Sequence, residues 1–359
     1  MKKWVAIGPA RLLEMLAPLA DEHRRRGDAE LVEVSSSQVS RYVHGVSGPG
    51  TNVVIVESPL QPSVRDQFRS PLVKSSNGSK VFVSWLRLDE ERLGSYATRA
   101  VTLLNRPLDQ PRAVVLLAAR EQRYLQLLDE LEGIAHRSAQ LPLFRWSAER
   151  IRRTPLTGAL KLGAAAILFS GHGTAHGWHA YGGMSAKTLA GSDPWSAEQA
   201  SSVLFSLSCS TGSAGPVAGP PDARPVLGFA DAVVATGAAG VVLAPVAKPL
   251  HANNRVLARA LMRAICGDSV CVREVLEQAS MLNGSLDGFA VVGDPELPMR
   301  SAAGAAERGR AVFAPAAGAV LVPRTGGWRA APISCAAVGD SRSHWRTTGT
   351  INAEGCAES

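Results

Sequence analysis

Short apolar runs recur along most of the chain, separated by stretches in which apolar residues repeat every three or four positions. Runs of this length are typical of buried strands, and the three-to-four repeat is typical of amphipathic helices. Because the two patterns alternate, the sequence predicts an α/β protein with a mainly parallel sheet covered on both faces. The predicted strands are KWVAIG, AELVEVSS, NVVIVES, KVFVSWL, AVVLLAA, AAAILFSG, SVLFSLSC and GVVLAPV.

A proline-marked segment, RPLDQPR, interrupts this rhythm near residue 108. It separates a predicted smaller α/β subdomain, residues 1–108, from a second subdomain, residues 109–300, in which the rhythm starts again. Beyond about residue 300 the composition shifts to Ala, Gly, Arg and Ser. That shift predicts a tail, residues 301–359, that is partly disordered or holds one small hairpin built from AVFAP and AVLVP.

The first residues, MKKWVAIGPARLLEMLAPLA, have the lysines and apolar residues of a secretion signal. Arg11 and Glu14 interrupt the apolar run, however, so we expect a strand followed by one helix that starts at Pro9 and is closed by Gly27. We therefore expect no secretion signal. No other segment offers eighteen uncharged apolar residues, so we expect no membrane span.

Composition narrows the function classes only slightly. The chain has 359 residues, a formal net charge of +7 and a pI near 9.4. The arginines are scattered and lack interleaved aromatic residues, so we expect a mildly basic surface and no nucleic-acid partner. Five cysteines without a regular spacing favour a reducing compartment, which indicates a cytoplasmic location.

Two predicted strands end in chemically capable residues. AAAILFSGHG places His172 at the end of one strand, and SVLFSLSCSTG places Cys209 at the end of another, 37 residues later. In a doubly wound sheet the carboxyl ends of the strands meet at one crevice. A cysteine attacks as its thiolate, and a nearby imidazole can hold the proton. The pattern therefore predicts Cys209 as a nucleophile and His172 as its general acid and base.

The residues around this pair predict further features of the site. The glycines beside His172 leave room for a substrate, and the Gly173 and Cys209 N–H groups can face the oxyanion of a tetrahedral intermediate. Taken singly, each residue also has a structural interpretation. A cysteine that ends an apolar strand is usually an inert small hydrophobe, and a histidine in a glycine turn is often an ordinary loop residue.

A metal site is the alternative interpretation of HGTAHGWH. His172, His176 and His179 have spacings that zinc ligands use on helices. Glycines inside the segment disfavour a helix and no Glu follows His172, so we expect no metal and no cofactor. Cys266 and Cys271 lack partner ligands, and core packing is the favoured interpretation for both.

Four blocks follow one another along the chain: ILFSGHG, LFSLSCSTG, GFADAVVATGAAGVVLAPV and FAVVGDPELP. In this order they resemble the catalytic domain of gingipain-type cysteine peptidases, relatives of the caspase-like enzymes. VAIGPARLLEMLAPLADEHRRRGDAELVEVS and SWLRLDEERLGSYATRAVTLLNR resemble the preceding subdomain of the same family. The resemblance covers roughly residues 3–300 and implies a caspase-like α/β/α sandwich, preceded by a smaller α/β subdomain, with thiol peptidase activity.

The resemblance also implies roles for individual residues. Glu121 matches the position of a carboxylate that orients the histidine, although it can equally just begin the following helix. The matching primary pocket comprises Val246, Ala247, Lys248 and His251. There Lys248 either favours an acidic substrate side chain or points to solvent. The loop after AVVLLAA is short, so cleavage after arginine is not carried over.

Three functions remain open at the level of the sequence. The first is a cysteine endopeptidase that cleaves a protein or peptide substrate through a thioacyl-enzyme, with a possible regulatory partner. The second is a catalytically idle interaction module that keeps the same fold. The third is a thiol acyltransferase or amidase that uses the same Cys–His dyad.

Overall fold

A computed structural model describes residues 3–46, 48, 50–107, 112–138, 142–148, 160–179, 184–215, 226–267 and 269–299, together with the backbone of 319–324, 327–332 and 344–347. Within these ranges the chain forms a 12-stranded sheet flanked by helices, plus two separate two-stranded sheets. The structure confirms the predicted α/β sandwich with a mainly parallel sheet.

The strands lie at the following positions: β1 Lys3–Gly8, β2 Asp28–Glu33, β3 Thr51–Glu57, β4 Leu72–Lys74, β5 Lys80–Arg87, β6 Val114–Ala119, β7 Leu143–Ala148, β8 Ala166–Ser170, β9 Gly173–Thr174, β10 Gly177–Trp178, β11 Ser201–Leu207, β12 Ala239–Pro245, β13 Phe289–Gly293, β14 Ala319–Arg324, β15 Gly327–Pro332 and β16 His344–Thr347. The α-helices are α1 Ala10–Met15, α2 Ala17–Arg26, α3 Val39–Gly45, α4 Glu90–Leu104, α5 Gln122–Ser138, α6 Ala186–Ala190, α7 Phe229–Thr236, α8 His251–Ile265 and α9 Val272–Met281.

Apart from β4 and β16, the main sheet consists of two parallel sets that run in opposite directions. Its order is β16-β7-β6-β8-β11-β12-β13-β5-β3-β1-β2, with β4 paired to β5. Strands β7, β6, β8, β11 and β12 are mutually parallel, and so are β13, β5, β3, β1 and β2, but β12 and β13 are antiparallel. The carboxyl ends of β8 and β11, which precede His172 and Cys209, therefore lie on the same side of the sheet. The sequence pattern did not indicate this reversal.

Apolar side chains cover both faces of this sheet. All five residues of β8 and all seven of β11 are buried, as expected for central strands with helices on either side. The larger core cluster includes Leu16, Tyr96, Phe169 and Phe205, and a smaller one lies around Trp85. None of the helices in the described ranges has both the length and the apolar character that a bilayer crossing requires.

Two segments differ from the expectation from sequence. The single helix predicted from Pro9 to Gly27 is two helices that meet at Leu16, because Pro18 supplies no N–H for a continuous ladder. Strand β7 was missed because Arg145 interrupts its apolar pattern. This arginine is nearly buried and pairs with Glu132 of α5 at 2.9 Å, which lets the strand occupy the interior.

Part of the segment after residue 300 contributes strands. Residues of AVLVP lie in β14, whose hairpin partner is β15 and not AVFAP, which lies outside the described residues. Strand β16 pairs antiparallel with β7 at the edge of the main sheet. The sequence analysis did not predict this pairing, since a four-residue strand in a polar context has almost no pattern of its own.

Tyr96 joins the two parallel sets where they meet. Its buried hydroxyl donates to the Gly240 carbonyl oxygen of β12 at 3.1 Å and accepts the Asp294 N–H after β13 at 2.6 Å. The Asp294 carboxylate accepts from Trp4 Nε1 at 3.3 Å and lies 2.7 Å from His23 Nε2. The GDPELP turn thus ties the main sheet to β1 and α2.

Replacing Tyr96 by Phe should lower the free energy of unfolding by about 1–3 kcal/mol, because the Asp294 N–H and the Gly240 carbonyl lose a buried partner. Urea unfolding measures this change. Tyr42→Phe is the matched control, since Tyr42 is only partly buried and its hydroxyl makes no hydrogen bond within the described residues. Equal stability of the wild type and Tyr96→Phe would contradict the role given to this hydroxyl.

Candidate active site

Three neighbouring parallel strands bring the predicted catalytic residues to one edge of the sheet. Ala118 of β6 pairs with Ser170 of β8, and Ser170 pairs with Leu207 of β11. His172 lies two residues after Ser170, and Cys209 lies two residues after Leu207. Glu121 lies three residues after Ala118. The three side chains are therefore carried in the order Glu121, His172, Cys209 along the edge.

Glu121 makes both of the contacts that the sequence left as alternatives. Its carbonyl oxygen accepts the N–H groups of Tyr124 at 2.9 Å and Leu125 at 3.0 Å, so it stands at the start of α5. Its carboxylate oxygen Oε1 also lies 2.7 Å from His172 Nε2. The contact with the imidazole exists, and its role in orienting the histidine stays a prediction.

Arg123 and Tyr124 complete this cluster, and the sequence analysis missed both. Arg123 Nη2 lies 2.9 Å from Glu121 Oε2 and 3.0 Å from His172 Nε2. Its guanidinium lies over the Tyr124 ring, 4.6 Å from the centroid, and that ring meets the His172 ring edge-on at 5.6 Å. The sequence indicated these two residues only by their position, because both stand in the first turn of the helix that follows Glu121.

Solvent screens the charges of this cluster. The side chains of Glu121, Arg123 and His172 are 44%, 46% and 47% exposed, so each ion pair is worth at most about 1 kcal/mol. Tyr124 is more enclosed. Burial raises the pKa of its phenol, and the negative charge that Cys209 can carry adds to this rise. Tyr124 therefore lies within electrostatic range of the thiol as well as beside the imidazole.

The backbone turns sharply after Cys209. Ser210 adopts a positive φ of 57°, a left-handed conformation that residues other than glycine seldom take. The Ser210 N–H donates to the Ala247 carbonyl oxygen at 3.0 Å, and the Gly212 N–H donates to the Pro245 carbonyl oxygen at 2.8 Å. The strained turn is thus held by the segment that follows β12, and it leaves Cys209 partly exposed.

The glycines beside His172 serve packing within the protein, which corrects the expectation that they leave room for substrate. A Cβ on Gly171 would lie 2.6 Å from the Phe169 ring. A Cβ on Gly173 would lie 2.8 Å from Ser208 Oγ and 2.9 Å from the Thr211 methyl carbon. The absent side chains therefore let the His172 segment approach the Cys209 turn closely.

A buried group of hydroxyls lies beneath the Cys209 turn. Ser206 Oγ lies 2.9 Å from the hydroxyls of both Ser208 and Thr211, and it accepts a hydrogen bond from Trp178 Nε1 at 2.9 Å. Thr211 Oγ1 in turn donates to the Ser208 carbonyl oxygen at 3.0 Å. This network connects the turn after Cys209 to the β9–β10 hairpin that follows His172.

The hairpin also settles which way the Gly173 N–H points relative to its partner strand. The His179 N–H donates to the His172 carbonyl oxygen at 3.1 Å, and Gly173 pairs with Trp178 in the same register. Antiparallel pairs alternate between bonded and non-bonded types, so the Gly173 N–H points away from β10. This direction is compatible with an oxyanion donor. The role of the Gly173 and Cys209 N–H groups as such donors stays a prediction.

The predicted substrate-pocket residues lie in the segment that holds the Cys209 turn. The Val246 carbonyl accepts from Ser213 Oγ at 2.6 Å, and Ala247 holds Ser210 as described above. Lys248 is exposed. His251 begins α8, and its ring lies 5.4 Å from that of Tyr124. Burial, helped by Arg123 and Arg255, lowers the pKa of His251.

The remaining histidines of HGTAHGWH are on a hairpin. Residues 173–174 and 177–178 form β9 and β10, and His176 and His179 are exposed. Among the residues that the structure describes, no three side chains of His, Cys, Asp or Glu are grouped as ligands of a metal ion. The spacing that suggested zinc therefore does not bring these three histidines into a cluster.

Comparison with solved structures identifies the fold. The Arg-specific cysteine proteinase gingipain R (RgpB) superposes with a TM-score of 0.66 over 84% of this chain and 78% of its own, at 14% sequence identity. The fold is that of gingipain R. A complex of Porphyromonas gingivalis RgpB pro- and mature domains matches with a TM-score of 0.62, 14% identity and coverage of 83% and 80%. No protein-family model and no curated protein matches the sequence.

These gingipain structures confirm the resemblance that the ordered sequence blocks indicated, as far as the fold is concerned. At 14% identity the likeness carries the architecture and not the activity. The roles of individual residues therefore depend on the geometry of this chain.

Replacing Gly173 by Ala should lower the free energy of unfolding by about 1–3 kcal/mol, because the new Cβ overlaps Ser208 and Thr211 in a closely packed contact. Thermal or urea unfolding measures the loss. Gly191→Ala is the matched control, since its nearest heavy atom is 3.6 Å away and its φ is −94°. If the two alanine variants are equally stable, the close contact between the two segments is not required.

Cysteine labelling should separate Cys209 from the two buried cysteines. Burial raises the pKa of Cys266 to about 11 and that of Cys271 to about 12, so at pH 8 both stay protonated and unreactive. Cys209 is partly exposed and should react with iodoacetamide at least about tenfold faster. Peptide mass mapping in a Cys335→Ser, Cys356→Ser background measures the three rates. Comparable rates at pH 8 would contradict this assignment.

Proposed function

We propose that this chain is a cysteine peptidase in which Cys209 is the nucleophile, His172 the general acid and base, and Glu121 the residue that orients the imidazole. One observation carries the proposal. The three residues follow strand ends held in register, and Glu121 Oε1 lies 2.7 Å from His172 Nε2. The fold supports the same reaction class, since gingipain R, which has a similar structure, is a cysteine proteinase.

The contact with Glu121 decides which imidazole nitrogen is available to the thiol. When Nε2 carries a proton and donates it to the carboxylate, the lone pair of the neutral ring lies on Nδ1. Nδ1 can then accept the Cys209 proton. The order of the strands agrees with this division, because Glu121 comes from one neighbour of β8 and Cys209 from the other.

The reaction then has two halves. The Cys209 thiolate forms a bond to the substrate carbonyl carbon, and the carbonyl oxygen takes the negative charge beside the Gly173 and Cys209 N–H groups. Collapse of this intermediate breaks the C–N bond, and His172 gives its proton to the leaving amine. Water next attacks the thioester, His172 takes a proton from it, and the carboxylic product leaves as the thiolate is restored.

Arginine specificity does not accompany this mechanism. A pocket for an arginine side chain requires a carboxylate to pair with it. In the described segments around the site, residues 120–123, 171–179, 208–215 and 246–251, the one carboxylate is Glu121, and it already contacts Arg123 and His172. We propose an endopeptidase of protein or peptide substrates, with Lys248 available to attract an acidic side chain.

We also propose that a regulatory partner restrains the peptidase activity of this chain. One of the similar structures pairs the RgpB mature domain with its pro-domain, which supports a regulatory partner for this chain. The cytoplasmic location expected from the cysteines stays a prediction.

Replacing Cys209 by Ala should abolish cleavage of a peptide library, and His172→Ala should reduce kcat/KM by at least about a hundredfold, because the thiol loses its base. Glu121→Gln should cost a smaller factor of about three to five, since it removes an exposed, screened contact. Product sequencing by mass spectrometry measures cleavage. Asp193→Asn is the matched control for Glu121→Gln, because Asp193 is an exposed carboxylate away from the site.

The same assay separates the other two functions. A wild type that cleaves nothing while its Cys209 is no more reactive than Cys266 would indicate an idle interaction module. Transfer of the acyl group to an added amine, with no net hydrolysis, would indicate an acyltransferase. Cleavage that survives Cys209→Ala would exclude the mechanism altogether.

A further inference from the structure

His172 Nε2 has two neighbours that require opposite states of the same nitrogen. Glu121 Oε1, at 2.7 Å, can only accept a hydrogen bond, so this contact needs a proton on Nε2. Arg123 Nη2, at 3.0 Å, can only donate, so this contact needs a lone pair on Nε2. A neutral imidazole satisfies one of the two at a time, and the choice fixes its tautomer.

The two tautomers differ in their use to Cys209. With Nε2 protonated toward Glu121, Nδ1 holds the lone pair that can take the thiol proton. With Nε2 accepting from Arg123, the ring proton is on Nδ1, and the imidazole has no free lone pair for Cys209. Arg123 also contacts Glu121 Oε2 at 2.9 Å, so it draws on the carboxylate that favours the productive state.

Arg123 is also placed to meet a ligand from solvent. Its side chain is 46% exposed, lies over the Tyr124 ring and contacts His172. A guanidinium binds a carboxylate through two parallel N–H donors. A carboxylate from solvent would therefore compete directly with Glu121 and His172 for the same donors.

We propose that Arg123 is a positioning residue that restrains His172 in its unproductive tautomer, and that a substrate carboxylate beside the cleaved bond releases it. The release by substrate rests on the proposed peptidase function, whereas the effect of Arg123 on the tautomer rests on the contacts alone. Acidic peptides are then the favoured substrate class.

The tautomer is measured directly by ¹⁵N NMR of the histidine side chains at pH 8.5, above the ordinary pKa of histidine. A His172→Gln spectrum assigns the signals. In the wild type a substantial fraction of His172 should carry its proton on Nδ1, and in Arg123→Met the proton should move to Nε2. Arg137→Met is the matched control, since it removes an exposed arginine from the far end of the same helix, about 21 Å along its axis. An unchanged tautomer in Arg123→Met overturns the proposal.

Cleavage of two matched peptides, with Asp or Asn before the cleaved bond, tests the release. Exposed ion pairs shift equilibria by only a few fold, so the wild type should cleave the Asp peptide about three to five times faster, mainly through kcat. Arg123→Met should raise kcat for the Asn peptide to that for the Asp peptide, while any attraction by Lys248 stays as a difference in KM. Arg123→Lys should keep most of the kcat preference.

The outcomes that contradict the role of Arg123 differ from the outcome that contradicts the proposed function. If Arg123→Met slows both peptides equally, or lowers only the Asp rate and leaves the Asn rate unchanged, Arg123 does not restrain His172. If neither the wild type nor any variant cleaves either peptide, the proposed function fails, and the NMR measurement still decides whether Arg123 sets the tautomer.

Discussion

The pairing of β6, β8 and β11 in one register is the constraint on which the site depends. Because Ala118, Ser170 and Leu207 lie side by side, the next few residues of each strand leave the sheet at the same level. Both faces of these strands are buried and closely packed, so a one-residue shift would exchange the side chains of the two faces and disrupt the packing on each. The contact between Glu121 and His172, and the neighbouring position of Cys209, follow from that register.

The loops that follow β8 and β11 determine the local geometry of the site. Gly173 lets the His172 segment approach Ser208 and Thr211, and the buried hydroxyls of Ser206 and Thr211 secure the turn beyond Cys209. The positive φ of Ser210 is maintained by its hydrogen bond to Ala247. Strain of this kind persists when the surrounding structure holds it, and it concentrates at functional sites. The local geometry therefore agrees with a site in which a thiol and an imidazole act together.

The charged side chains around the site are mostly cationic. The described segments there, residues 120–123, 171–179, 208–215 and 246–251, hold arginine, lysine and histidine with Glu121 as their one carboxylate. Arg123 stands between that carboxylate and the imidazole. Since these side chains are about half exposed, their balance is shallow, and a competing carboxylate can change it.

Apolar periodicity by itself determined the sandwich, its central strands and the two residues at the ends of AAAILFSG and SVLFSLSC, because buried strands and amphipathic helices leave direct periodic signals. It failed at β7 and at the break between α1 and α2, where Arg145 and Pro18 act through single local effects. Only the tertiary structure decided the reversal between β12 and β13, the contact of Arg123 with His172, and the packing of Gly173 against Ser208 and Thr211. Each of these depends on residues far apart in the chain, and no local pattern encodes the distance between them.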